Sequence, residues 1–187
     1  MSNNKNNVTT GKPKVGGAVF RAPLSTPLPT DATTELNAAF KCLGYISEDG
    51  LTNDGSRTTQ SIKAWGGDVV HVSTTDKKDD FTMTFIESLS AEVLKLVHGD
   101  SNVTGTLEDG MTVAAGSGDL DDYAYVIEMI MTGGVLKRVV LPSASVSNVA
   151  EVQYDDSDAV GYGVTLTAMA DSAGNTHYEY FKKPATE

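Results

Sequence analysis

The fold class is decided by the alternating stretch FTMTF at residues 81–85. Apolar and polar side chains alternate there with period two, the pattern of a strand that buries one face. The same alternation recurs in YGVTLTAMA at residues 162–170. Thr and Val, which suit the pleated surface of a sheet, occur 21 and 19 times in 187 residues. Because Asp-Gly and Gly-Gly turn signals separate such segments, the sequence predicts an antiparallel, mainly β domain.

Further strands are expected on both sides of these two segments. They are predicted at residues 16–22, 41–46, 61–65, 123–131, 135–141, 149–154 and 177–181. The clearest hairpin joins residues 68–72 to 81–85 through a turn at 76–79. Residues 47–60 are predicted to form a loop, because they are polar and hold two Asp-Gly pairs. Pro142 is expected to end the strand before it.

One α-helix is predicted, at about residues 88–98, where apolar residues form a stripe at helical spacing and Gly99 supplies a C-terminal stop. Residues 123–131 are apolar on almost both faces, so they need cover from this helix across a sandwich core or from a neighbouring subunit. The predicted fold is a β-sandwich or barrel-like domain with one flanking helix. We expect it to span residues 16–187, after a flexible polar arm at 1–15 that is too poor in apolar residues to order itself.

The charge balance excludes several classes of protein. The chain has 14 Lys+Arg and 25 Asp+Glu, a formal net charge of −11. Such acidity argues against a general DNA- or RNA-binding module, which needs a basic face for phosphates. A single Cys excludes a disulfide framework and a zinc site built from several thiolates. No apolar stretch approaches the ~18 residues that span a bilayer, so no membrane insertion is expected.

No motif points to catalysis, a metal or a cofactor. The acidic clusters at residues 119–122 and 155–158 lack the ligand order of a calcium loop and are interpreted as solvated loops. The three histidines lack the spacing of a helical metal pair. Cys42 has no partner base nearby in the sequence, so we interpret it as a small buried side chain. The expected class is therefore a structural or binding protein rather than an enzyme.

The charges are also unevenly distributed along the chain. Residues 100–171 carry twelve acids and two bases. The first 14 residues hold three lysines and no acid, and residues 182–183 add two more lysines. Basic ends and an acidic body would let identical subunits pair with one another. An ordinary soluble surface with flexible tails is the alternative, since single surface ion pairs are weak.

Several strings in the first half of the chain point to one family. They are GAVFRAP at 17–23, FKCLGYISEDGL at 40–51, IKAWGGDVV at 62–70 and FIES at 85–88. Over about residues 16–105 the chain resembles the major tail tube proteins of long, non-contractile-tailed bacteriophages. The resemblance implies a structural virion protein with a β-sandwich or barrel-like subunit, six copies of which close a ring. Stacked rings would form a tail tube with a central channel that conducts DNA during ejection.

The resemblance also implies roles for particular residues. Contacts between subunits or rings would involve the arm, the 47–60 loop and the C-terminal end, with the candidates Lys5, Lys12, Lys14, Glu48, Asp49, Asp54, Arg57, Trp65, Lys182 and Lys183. An acidic lumen would repel phosphate and let DNA slide, with the candidates Asp76, Asp79, Asp80, Asp119, Asp121 and Asp122. The implied partners are further copies of this chain, the tape-measure, tail-tip and tail-terminator proteins, and DNA in transit. The tube would assemble in the host cytoplasm and reside in the virion tail.

Two other interpretations stay open. One is a related ring or tube protein, such as a secretion-system tube or a head–tail connecting protein. The other is a small acidic β-sandwich that binds sugar or metal. The string Trp65-Gly66-Gly67 also has two interpretations: the Trp anchors a contact between subunits, or it packs in the core beside a bulge or tight turn. We favour the core position.

Overall fold

The computed structural model describes residues 3–14 and 16–183, and it is mainly β with antiparallel sheets and one α-helix, as the sequence predicts. The strands are β1 Gly11–Pro13, β2 Val19–Pro23, β3 Lys41–Cys42, β4 Ile46–Asp54, β5 Arg57–Lys63, β6 Val69–Lys77, β7 Asp80–Phe85, β8 Val103–Thr104, β9 Thr112–Val113, β10 Tyr123–Met131, β11 Val135–Val149, β12 Tyr162–Ala168 and β13 Tyr178–Lys182. The helix α1 spans Ala91–His98, and single 3-10 turns lie at Lys5–Asn7, Asp100–Asn102 and Thr132–Gly134.

Nine strands form one antiparallel sheet. Its order is β3-β2-β10-β11-β12-β7-β4, and β1 adds to β10 while β13 adds to β11. Strands β3 and β4 follow each other in the chain but lie at opposite ends of this order, so the short segment between them links the two edges. Leu43 N–H donates to Val19 O at 2.9 Å, and Ile86 N–H donates to Tyr45 O at 3.0 Å. The sheet therefore folds over into a sandwich without closing as a barrel within the described residues.

The main core lies between the two halves of this folded sheet. Strands β2, β10 and β11 face β7 and β12 across it, and α1 covers one side. The helix buries Val93, Leu94, Leu96 and Val97. It begins at Ala91, later than the predicted residue 88, because the preceding residues form a turn instead of a helical start. Its C-terminal stop is Gly99 as predicted, with the Gly99 N–H donating to Lys95 O.

A smaller core lies on the opposite face of β10. Ala22, Phe40, Val126 and Val140 form it, and apolar residues of the connector at 24–40 pack against them. This second cluster explains why β10 is apolar on both faces. The same chain covers both faces of the strand, so a neighbouring subunit is not needed for that purpose.

The predicted loop at residues 47–60 is wrong, because β4 and most of β5 occupy it. The predicted hairpin is wrong as well, since β6 pairs with β5, whereas β7 pairs with β4 and β12. The Asp49-Gly50 pair was interpreted as a turn signal, but it lies in a bulge of β4, where Gly50 has φ 74°. The real turn lies at 64–68, where Ala64 N–H donates to Asp68 O at 2.8 Å.

The predicted strand end at Pro142 is also wrong, because β11 continues to Val149. Residues 136–140 of β11 pair with β13, and residues 144–149 pair with β12. Pro142 falls between these two paired stretches and also at a register shift against β10, so no ladder hydrogen bond is lost there. No strand forms at the predicted residues 149–154 beyond the end of β11.

Candidate functional site: assembly surfaces

A long ribbon projects from the sandwich. Strands β4 and β7 pair at Asp54 and Asp80, and the ladder resumes at Arg57 and Lys77 as β5 and β6. Beyond that joint, β5 and β6 pair only with each other within the described residues. All of β5 and nearly all of β6 are exposed. The ribbon is thus held by its backbone ladder and makes no core of its own.

The ribbon carries many of the exposed apolar side chains of the molecule. They are Ile62, Trp65, Val69, Val70 and Val72. Trp65 lies in the turn at the tip and is fully exposed. The core position favoured for it is therefore wrong, although the tight turn is correct. An apolar tip that none of the described residues covers is typical of a surface that binds another molecule.

The base of the ribbon holds two of the predicted lumen residues in covered positions. Asp79 accepts hydrogen bonds from Asn53 Nδ2 at 2.8 Å and from Thr176, and it pairs with His177 Nδ1 at 2.5 Å. Burial raises the pKa of Asp79, but these hydrogen bonds outweigh it, so the net pKa lies below the usual range. This network ties the ribbon base to the segment that leads into β13.

Asp80 is covered in a similar way. It pairs with Lys78 and accepts a hydrogen bond from Thr167 Oγ1 at 2.7 Å. Asp79 and Asp80 are 8% and 4% exposed, so neither presents a free carboxylate to solvent. The remaining lumen candidates, Asp76, Asp119, Asp121 and Asp122, are all exposed. Asp122 also accepts a hydrogen bond from Ser145 Oγ.

One face of the sheet is lined with small hydroxyl side chains, and we call it the hydroxyl face. Its members lie on β4, β7, β12 and the second half of β11: Thr52, Thr82, Thr84, Ser145, Ser147, Thr165 and Thr167. Thr82 Oγ1 lies 3.1 Å from Thr165 Oγ1, and Thr167 Oγ1 donates to Ser147 Oγ at 2.7 Å. No Lys or Arg occurs in these strand segments. The alternating Thr residues of β7 and β12 are the sequence signal for this face.

The N-terminal arm is partly fixed to the sandwich. Residues 11–13 form β1 beside β10, and Thr10 N–H donates to Thr132 Oγ1 at 2.9 Å. Lys14 Nζ lies 2.8 Å from Glu128 Oε2, so this predicted contact residue is paired within its own chain. Lys5 and Lys12 are exposed. Residues 1, 2 and 15 of the predicted arm lie outside the described residues.

The other predicted contact residues are all at the surface. Glu48, Asp49, Asp54, Arg57, Lys182 and Lys183 are exposed. Residues 184–187 of the predicted C-terminal contact lie outside the described part of the chain. Cys42 is exposed and not buried as expected, because β3 is a two-residue edge strand.

The sequence prediction missed two buried arginines. Arg138 pairs with Glu128, with Nε donating at 2.9 Å, and its Nη1 donates to Asp31 O at 2.7 Å. Arg21 donates to Asp100 at 2.9 Å and lies over the Tyr123 ring. The Glu128–Arg138 pair could have been predicted from the sequence, because the two residues lie directly opposite each other in two adjacent predicted strands. The first ion pair links β10 to β11, and the second links β2 to the 3-10 turn that follows α1.

No cluster of three or more metal-ligating side chains occurs in residues 3–14 and 16–183. In the same part of the chain, no helix is long and apolar enough to cross a membrane.

A folded sandwich that projects an apolar ribbon defines a structural subunit that associates with other chains. A family model described as phage tail tube protein matches residues 1–186. The chain therefore belongs to the phage tail tube protein family, as its resemblance implies. No curated protein matches it. The family is structural and non-enzymatic, its members assemble into a tube, and their place is the virion tail.

Proposed function

We propose that the chain is the major tail tube subunit of a long, non-contractile phage tail, with six copies in each ring and DNA passing through the stacked rings. Family membership supports the tube, and the division into sandwich and ribbon supports the stacking. The sandwich is the body of a ring, and the ribbon reaches out of it to another copy. Tape-measure, tail-tip and tail-terminator proteins would contact the inside and the two ends of such a tube.

Ring closure is supported by the unpaired sheet edge at β4. Within the described residues, β4 pairs only with β7, so its second edge remains open, and the bulge between Ile46 and Leu51 limits its regular stretch to residues 51–54. An open edge is a template for pairing with another chain. Identical subunits that pair head to tail close into a ring when the rotation permits. The exposed Glu48 and Asp49 on this edge disfavour uncontrolled aggregation before assembly.

The composition of the hydroxyl face is the observation that supports the proposed DNA channel. DNA in transit needs a wall that is polar but has no fixed positive charge, because lysines and arginines bind phosphates and would retain the duplex. The hydroxyl face has this composition except at the start of β7, where Lys78 borders it and is neutralised by its pair with Asp80. Asp122 lies at another border of the face. We assign this face to the channel, with the exposed acids Asp119, Asp121 and Asp122 near one end of it.

Lysine substitutions on this face test the channel. In virions built with Thr82→Lys or Thr165→Lys, each ring gains six positive charges in the bore. We expect DNA ejection, followed by dye fluorescence, to slow several-fold and to recover at high salt. The matched control is Gln153→Lys, at an exposed position in the connection between β11 and β12. Equal ejection rates in all three variants would reject the assignment of this face.

A further inference from the structure

A second surface lies at the end of β4 that is remote from the ribbon tip. It is a groove of about 450 Å³, and its lining includes Ala18, Cys42, Gly44, Tyr45, Ile46 and Glu87. We propose that this groove receives the Trp65 tip of a second copy of the chain in the adjacent ring. The proposal rests on the proposed function and adds the acceptor site for the ribbon.

The groove and the tip lie at opposite ends of two successive ladders, β4-β7 and β5-β6. The groove contains Ile46, which pairs with Phe85 at the start of β4, and the tip follows Lys63, which pairs with Val69. Phe85 and Val69 are sixteen residues apart on the successive strands β7 and β6, which would span at most about 50 Å if they ran in one line. Each copy therefore offers a tip at one end and a groove at the other. Such a heterologous contact leaves a free site at each end and propagates as a filament.

Two glycines shape the groove. Gly44 has φ 76°, and a Cβ placed on it would lie 2.2 Å from the Glu87 carboxyl carbon. A Cβ on Gly17 would lie 2.7 Å from Cys42 Sγ. The absence of both side chains lets Glu87 and Cys42 pack directly against the backbone. Any larger residue at either position would displace these side chains.

The chemistry of the groove matches the tip. The groove is mainly apolar, as an indole ring requires, and its charged lining residues are Glu87 and Lys14, of which Lys14 is already paired with Glu128. Glu87 Oε1 accepts the Tyr45 N–H at 2.9 Å, which leaves Oε2 to accept from the indole N–H of Trp65 or to face Lys63 of the arriving tip. Trp65 and Lys63 are both exposed. A Trp in a fitted pocket is a common energetic centre of protein contacts.

The single cysteine of the chain allows a direct test, because Cys42 lies in the groove wall. The variant Ala64→Cys places a second thiol beside Trp65 and keeps the Trp. After assembly and mild oxidation, we expect a ladder of disulfide-linked oligomers on a non-reducing gel, since each tip joins the next groove. The control Ala64→Cys with Cys42→Ser should give no ladder. A second control, Ser157→Cys, places the thiol on an exposed loop and should give none either.

Other outcomes overturn the proposal. Tubes that form normally with Ala64→Cys but give no ladder reject the groove as acceptor, while the tube function stands. Disulfide-linked dimers of the variant Ala64→Cys with Cys42→Ser would mean that two tips contact each other, which also rejects the groove as acceptor. A ladder with Ser157→Cys indicates random collision. Failure of the unaltered protein to form tubes rejects the proposed function instead.

A second variant measures the contact without cysteine chemistry. Trp65→Ala should raise the protein concentration needed for assembly by about 30-fold, the effect of losing one central aromatic contact. The matched control is Tyr154→Ala, which removes another exposed aromatic side chain, in the connection between β11 and β12 and outside the groove lining. An unchanged assembly threshold for Trp65→Ala would overturn the proposal.

Discussion

The sandwich and the ribbon are built from the same secondary structure but are stabilised differently. Val164 in β12 is fully buried, whereas Val70 in β6 is 62% exposed, although both are valines in antiparallel strands. In the sandwich, apolar burial holds the strands. In the ribbon, the ladder holds them and the apolar surface is left for another molecule. Strand formation and core formation are therefore separate properties in this protein.

The largest expected effect is a difference in the free energy of unfolding when Val is replaced by Ala in each of the two regions. Val164→Ala should lower the free energy of unfolding by about 2–3 kcal/mol, because it removes two buried methyl groups and leaves a cavity. Val70→Ala should change it by less than about 0.5 kcal/mol in the unassembled subunit. Urea denaturation of both variants measures the difference. Equal losses in the free energy of unfolding would mean that the ribbon packs against the sandwich. The two regions would then not differ in how they are stabilised.

A smaller effect concerns the joint between the two regions, where Asp79 meets Asn53, Thr176 and His177. The pKa of Asp79 is lower in the folded chain than in the unfolded chain. Its contribution to stability is therefore complete above the unfolded value of about 3.9 and is lost as the pH falls through the folded value.

The variant Asp79→Asn should flatten the fall in stability below about pH 4, relative to the unaltered protein. Thr176→Val should flatten it partly, because it removes one hydrogen bond that lowers the pKa. The measurement is the free energy of unfolding as a function of pH. An identical slope in Asp79→Asn would show that the ribbon base is not held by this carboxylate.

The sandwich was largely predictable from the sequence. The bounds of β10 agree with the prediction, since a nine-residue apolar segment fits only a strand covered on both faces. The helix was marked by its apolar stripe and by Gly99. The continuation of β11 through Pro142 was not predictable, because it depends on a change of partner strand that involves distant parts of the chain.

The ribbon could not be predicted from alternation. Strand β5 is exposed on both faces, so its sequence shows no apolar period and resembles a loop. The exposed position of Trp65 could not be predicted either, because a Trp is usually buried and no local sequence pattern marks a projecting tip. The covering of Asp79 depends on Thr176 and His177, nearly 100 residues further along the chain. Surface roles in this protein thus follow from tertiary neighbours and not from residue type.

Electron microscopy of the concentrated, purified protein is the direct test that ribbon-bearing sandwiches build a tube. We expect stacked rings with six-fold symmetry and a central hole, with the ribbon of each subunit reaching a subunit of the adjacent ring. Monomers at every concentration and salt level, or filaments without a central hole, would contradict it.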